Sequence, residues 1–141
     1  MKDESLGFLV SDISRLMRQQ FQRRIAGSPL TLAQARALVR ISRNEGIRQV
    51  DLAELLEIQP ITLVRLIDQL AEAGLVERRP DPADRRAYRL FLTGHAGAQL
   101  KLIRTVSAGT QAQALRGMKA AEASALFSAL QTVRANLATS E

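Results

Sequence analysis

Arginine is the residue type with the most chemistry to offer in this chain. Seventeen of its 20 basic side chains are Arg and three are Lys (Lys2, Lys101, Lys119), against 14 acids, for a formal charge of +6. A planar guanidinium makes paired hydrogen bonds to phosphate and to guanine, so an anionic polymer is the first partner to consider. The same excess arises in GC-rich genomes, and net charge speaks about nonspecific association, not fold. Other chemistries find few residues. There is no Cys, which removes disulfides, thiolate metal sites, Cys nucleophiles and thiol redox sensing. His95 is the sole His, has no second His or Cys for a transition metal, and reads as a surface or partly packed side chain. Ser11, Ser14 and Ser42 lack an activating His/Asp pattern, and no Gly-rich phosphate loop follows a strand. Asp81 and Asp84 belong to a turn without an enclosed site. The expectation is a protein that is not an enzyme, with no cofactor and no metal.

The elements that must position the arginines follow from apolar spacing. At 141 residues the chain suits one domain, 1–141, with a core of its own. Apolar residues at 6, 9, 10, 13, 16, 17, 21 and 25 predict a long amphipathic helix, stopped by Gly27-Ser28-Pro29. Thr31 with Gln34 forms a capping-box pattern opening a second helix to about Arg43. Asp51 with Glu54 suggests another cap, for a short helix from Leu52 to about Glu57. Gln59-Pro60 then opens a fourth helix that Gly74 closes. In it Leu63, Leu66, Ile67 and Leu70 line one face, and Thr62, Arg65, Gln69 and Glu72 the other.

Helical period then breaks. Residues 75–79 and 88–92 read as two strands, with Tyr88, Leu90 and Leu92 on one face, joined by an eight-residue polar loop from Pro80 to Ala87. Tyr88 is expected to pack in the strand rather than serve as a stacking platform. Thr93 is the expected cap of a long helix from about His95 toward Arg116. Gly117-Met118-Lys119 separates it from a last helix with a seam at Leu126, Leu130, Val133 and Leu137. The expected fold is mainly α with a small β-hairpin wing: a winged helix-turn-helix reader over 48–92, flanked by long N- and C-terminal helices, 6–27 and 95–138. Those flanking helices exceed what a winged module of about 60 residues needs. Their apolar stripes call for a partner, and the simplest is the same helices of a second subunit. The start of the chain lacks a signal-peptide layout and no apolar run reaches membrane-spanning length, so a cytoplasmic, non-membrane protein is expected.

Three stretches now resemble a known family: 51–58 (Asp-Leu-Ala-Glu-Leu-Leu-Glu-Ile), 62–70 (Thr-Leu-Val-Arg-Leu-Ile-Asp-Gln-Leu) and 74–78 (Gly-Leu-Val-Glu-Arg). Together with the wing 81–87 (Asp-Pro-Ala-Asp-Arg-Arg-Ala) and the exit Leu92-Thr93 with Gly97, they are similar to the MarR family of transcriptional regulators, nearest its SlyA-like members. Leu30-Thr31-Leu32-Ala33-Gln34 resembles the family's entry to its second helix. The likeness runs in order from about Leu6 to Leu137. Arg36 departs from it, standing where many relatives carry an aromatic, and so does Lys119, standing where a Ser or Thr cap is common.

The resemblance implies a homodimeric regulator of double-stranded DNA with a pseudo-palindromic operator. Gln59, Pro60, Ile61, Thr62 and Arg65, near the start of the fourth helix, would enter the major groove. There Gln pairs with adenine, Arg with guanine, and Thr or Ile packs on a thymine methyl. Taken alone, Arg65 also reads as a solvated charge or a partner of Asp68 or Gln69. In the wing, the resemblance assigns Arg86 to the minor groove, Arg85 to phosphate, and Asp84 to orienting an Arg. Arg78, Arg79 and Arg89 are read as backbone contacts or structural charges. By resemblance only, Arg15, Arg36 and Arg40 are candidate ligand-binding residues for a small effector, with surface charge or intersubunit pairing as the other reading. Without Cys, any signal must be a bound molecule or protein abundance rather than thiol oxidation.

Charge is unevenly placed. Residues 48–90 hold seven Arg and eight acids, net −1, while residues 1–44 carry +5. A near-neutral reader also suits the alternative, a winged-helix protein-interaction module without sequence-specific DNA binding. The leading expectation is a sequence-specific, ligand-responsive repressor.

Overall fold

The computed structural model describes residues 3–139. Six helices and three strands follow in the order α1 (Leu6–Ile25), α2 (Leu32–Arg43), β1 (Ile47–Arg48), α3 (Gln49–Leu56), α4 (Pro60–Glu72), β2 (Val76–Asp81), β3 (Asp84–Leu92), α5 (Gly97–Ala114) and α6 (Ala120–Ala138). The expected architecture is present: helices throughout, a small wing, and long helices at both ends.

Local chemistry sets the boundaries. The capping box at α2 forms as expected, with the Gln34 N–H donating to Thr31 Oγ1 at 3.1 Å and the Thr31 N–H to Gln34 Oε1 at 3.0 Å. Proline opens α4, where its missing N–H costs nothing. Gly74, at φ 76°, follows its last turn in the left-handed region that glycine enters without strain. Three expectations need correction. Asp51 caps nothing, because α3 begins earlier, at Gln49, with Arg48 in the N-cap position. Thr93 does not cap α5 directly: its hydroxyl donates to the Gly74 carbonyl and accepts the His95 N–H, and the helix starts at Gly97. The eight-residue loop is only Pro82-Ala83, since both strands run further into the wing.

The sheet is antiparallel with order β1-β3-β2. The two-residue β1 has no period of its own and was invisible to the pattern. It pairs Ile47 with Leu90 and Arg48 with Arg89. One contiguous core joins Ile25 of α1, Leu38 and Ile41 of α2, Leu52 of α3, Leu63 and Ile67 of α4, Leu90 of the central strand, and Ile103 of α5. Burying such side chains contributes roughly 1.5–3 kcal/mol each before entropy is charged. Arg24 fastens α1 to α5, donating to Thr110 Oγ1 at 3.3 Å and Gln113 Oε1 at 2.6 Å. The ends behave differently. No residue of α6 is buried, and α1 buries only Ile25, leaving Leu6, Leu9, Ile13 and Leu16 exposed. No helix is long and apolar enough to cross a membrane among the described residues.

Candidate nucleic-acid interface

On α4 the division between faces is as the spacing predicts. Leu63, Leu66, Ile67 and Leu70 are buried, while Thr62, Arg65, Gln69 and Glu72 are exposed. Gln59, at the N-cap, makes no side-chain capping bond, so its amide is left for other partners. Ile61 is 62% exposed one residue past Pro60. The first turn of α4 thus presents an amide, an apolar side chain, a hydroxyl and, one turn on, the Arg65 guanidinium to the same open side.

The wing brings Arg85 and Arg86 to its tip by a register device. Asp81 pairs with Asp84, but the next pair is Pro80 with Tyr88, so residues 85–87 bulge from β3 without strand partners. Asp84 Oδ1 accepts the Arg86 N–H at 3.0 Å, closing the bulge. Both arginines are exposed. Tyr88, expected to pack, is 44% exposed, because the strand has run past the core by that point.

The seven arginines of the reader fall into two groups. Arg78 is the most committed: it contacts Asp68 at 2.7 Å and donates to Gln49 Oε1 at 3.0 Å and the Val64 carbonyl at 3.1 Å. Arg79 pairs with Glu77 and lies 3.9 Å from the Phe91 ring centroid. Arg48 meets Asp81 at 3.2 Å and Asp84 at 3.5 Å, and Arg89 meets Asp81 at 3.5 Å while donating to the Gly46 carbonyl. Arg65, Arg85 and Arg86 have no ion-pair partner among the described residues. Asp68 is paired with Arg78 and Gln69 Oε1 accepts from Gln34 Nε2, so neither intrahelical partner considered for Arg65 is bonded to it. Four acids are consumed internally, so the net charge of −1 hides arginines free of ion pairs on the open side of α4 and at the wing tip, among the described residues. The role of Arg48 had no signal in sequence, since its partners lie more than 30 positions away.

Asp81 is the buried node of this arrangement. Its carboxyl is held below the ordinary value of 3.8, first by the Ala83 N–H it accepts and then by Arg89 and Arg48, with burial opposing them. A carboxylate with a lowered folded pKa adds stability that is complete above 3.8 and disappears as pH falls through the lower folded value. Chemical unfolding of the wild type and Asp81→Asn at a series of pH values should therefore show a gap at neutral pH that closes in acid below 3.8. A gap independent of pH would contradict this account.

Behind the reader, a cavity of about 480 Å³ lies between α1, α2 and α5. Its walls are largely apolar, including Met17, Phe21 and Val39, and Arg18, Arg36 and Arg40 also line it. Arg15 does not. It sits off the face defined by Ser14, Met17 and Phe21 and pairs with Asp12 at 3.1 Å, whereas Arg18, one turn on, lines the cavity.

The sequence over residues 30–88, which includes α3, α4 and most of the wing, matches the MarR family. Solved structures agree in fold along nearly the whole chain. One of MarR is 29% identical with a TM-score of 0.86, covering 97% of this chain and 93% of its own. The regulator SlyA is 26% identical with a TM-score of 0.76, covering 95% and 94%. A MarR family transcriptional regulator from Listeria monocytogenes, solved in complex with a 26-mer DNA, is 28% identical with a TM-score of 0.78, covering 95% and 89%. The exposed α4 turn, the bulged wing and these likenesses together identify residues 30–88 as a MarR family domain, carried in a chain with the winged-helix fold of that family's transcriptional regulators.

Proposed function

We propose that this protein is a homodimeric, sequence-specific regulator of double-stranded DNA, acting as a repressor whose affinity responds to a small ligand. The observation that carries the reading is the partition of the reader's arginines: the three left without an acid are Arg65 on α4 and Arg85 and Arg86 on the wing. In this reading Gln59, Pro60, Ile61, Thr62 and Arg65 meet base edges in the major groove, Arg85 meets phosphate and Arg86 enters the minor groove. Two copies joined through α1, α5 and α6 place two α4 helices about 34 Å apart, one helical turn, on a pseudo-palindrome. The DNA complex of the Listeria relative supports the partner class.

The cavity is the proposed effector site, suited by Arg18, Arg36 and Arg40 to an apolar molecule bearing an anionic group. Such a ligand lowers DNA affinity only by binding better to the arrangement of the two readers that does not fit DNA.

A mobility-shift titration on DNA from upstream of the protein's own gene is the direct test. It should show a sequence-selective shift by the dimer that survives added salt, and its absence would overturn the proposal. In the same assay, Arg86→Ala should cost about 1–2 kcal/mol, more than neutralising Arg15, Arg18 and Arg23 together. Equal losses would mean that bulk charge, not placement, carries the affinity. The near-neutral reader favours a second reading, a winged helix that binds protein. It predicts intact partner binding in Arg65→Ala and Arg86→Ala with no DNA preference in the wild type.

A further inference from the structure

We infer that Arg48 is a positioning residue for the wing, holding the bulge that carries Arg86 at a fixed distance from the recognition helix. This rests on the proposed role of Arg86 in the minor groove. Arg48 occupies the junction of β1 and α3, so its backbone belongs to the helical half of the reader. Its side chain crosses to the wing, where Nε lies 3.2 Å from Asp81 and Nη2 lies 3.5 Å from Asp84. The other oxygen of Asp84 accepts the Arg86 N–H at 3.0 Å. A continuous path therefore runs from the first residues of α3, through one guanidinium and one carboxylate, to the backbone of the wing's reading residue.

Two features make Arg48 a brace rather than an ordinary surface charge. An exposed ion pair alone is weak, because two mobile side chains must be ordered to make it. Here the guanidinium already lies against Asp81, whose side chain is only 3% exposed and which Arg89 also approaches at 3.5 Å, in an ion pair that leaves the buried Arg48 Nε without a hydrogen bond. The second contact, to the half-exposed Asp84, is then made by a group that is already ordered. The adjacent residue is gripped as well: Gln49 accepts from Arg78, which in turn holds Asp68 and the Val64 carbonyl of α4. Residues 48 and 49 thus tie the wing tip on one side and the recognition helix on the other. A protein that reads a major groove and the minor groove beside it depends on that spacing, because a wing displaced by a fraction of its reach loses the second contact and keeps the first.

The consequence is a defect in flank reading rather than in binding as such. Duplexes selected from a random-sequence pool by the wild-type protein would be rebuilt with A·T-rich or G·C-rich flanks outside the half-sites. Wild type should prefer the A·T flanks, whose narrow minor groove attracts an inserted Arg, by about tenfold. Arg48→Gln should reduce that preference to about twofold, leaving affinity for the G·C-flanked duplex near wild type. Asp84→Asn keeps an acceptor for the Arg86 N–H and loses the ion pair, and should reduce the preference to about threefold. Combining the two should do no more than Arg48→Gln alone, as expected for members of one path. The preference is a ratio measured on one folded protein, so lost stability does not move it, and a like reduction by Arg48→Gln and Asp84→Asn, which change the charge in opposite directions, separates positioning from charge.

A folded Arg48→Gln or Asp84→Asn that retains the tenfold preference overturns the inference, as does simple additivity in the double variant. If Arg48→Gln does not fold, Asp84→Asn decides alone, since Asp84 is exposed and outside the core. Loss of flank preference in Arg86→Ala but not in Arg48→Gln leaves the reading of Arg86 standing and removes Arg48 from it. No preference in the wild type itself removes both.

Discussion

Leu9→Asp combined with Leu126→Asp should yield a folded protein that runs at the mass of one chain and has lost about a hundredfold or more in affinity for its operator. Neither side chain is in the core: Leu9 is 45% and Leu126 37% exposed within a single chain. On α1, Leu6, Leu9, Ile13 and Leu16 form an exposed stripe at helical spacing. On α6, Leu126, Phe127, Leu130 and Leu137 are exposed along a helix that buries nothing. Apolar surface of this extent on terminal helices is what the proposed dimer would cover. A carboxylate introduced there must be desolvated on association, whereas in the separated chain it remains in water. The reader, whose core lies around Leu38, Leu63 and Leu90, should keep its helical circular dichroism.

The size of the DNA effect follows from bivalency. Once one half-site is bound, the second reader sees its half-site at an effective concentration near millimolar, which multiplies affinity by about 10²–10⁴. Under the proposed function, severing the two readers forfeits that factor without touching any of the residues proposed to meet DNA. Sedimentation of the variant, with a titration of full and half operators, checks both parts. A variant that stays dimeric would place the interface elsewhere, and a monomer that still binds the full operator tightly would remove dimerisation from the mechanism.

The second large effect is on stability. Leu90→Ala should destabilise the protein by roughly 2–5 kcal/mol, while Tyr88→Ala should cost well under that. Leu90 is fully buried on the central strand, paired in register with Ile47 of β1 and Arg78 of β2. Shortening it leaves a void at the point where the sheet meets the helices, and the close-packed surroundings relax only in part. Tyr88 lies two residues along the same face but beyond the core. Denaturant unfolding of both variants measures the contrast. Similar losses would mean that the wing packs along its whole length.

That pair of residues shows where the pattern in the sequence stopped being informative. Alternation placed Tyr88, Leu90 and Leu92 on one face, and they are on one face. It carried no information on how far the strand continues past its support. The helices were legible because each is specified locally, by apolar spacing and by caps such as Thr31 and Gln34 that act within four residues. The hairpin loop was overestimated because Arg85 and Arg86 are extruded by a bulge, which is a property of the pairing between strands rather than of either strand. The outward face of α4 was legible for the same reason its core face was. Arg15 follows Ser14 by one position, about 100° around the helix axis from the face that lines the cavity, a difference that apolar spacing alone does not convert into a ligand contact.

By itself, then, the sequence determined the helices, the winged segment between them, the surplus of Arg and the absence of Cys. Only the tertiary structure decided which arginines are available. Among the described residues Arg48, Arg78, Arg79 and Arg89 are bound to acids, and Arg65, Arg85 and Arg86 are not, although all seven look alike as residues in a mixed-charge segment. The physical reason is range. A helix or a cap is fixed by neighbours in the chain, but most of these ion pairs join groups that only the folded sheet brings within 4 Å, such as Arg48 with Asp81 and Asp84. Charge that is summed along the chain is therefore a poor guide to charge that is presented to a partner.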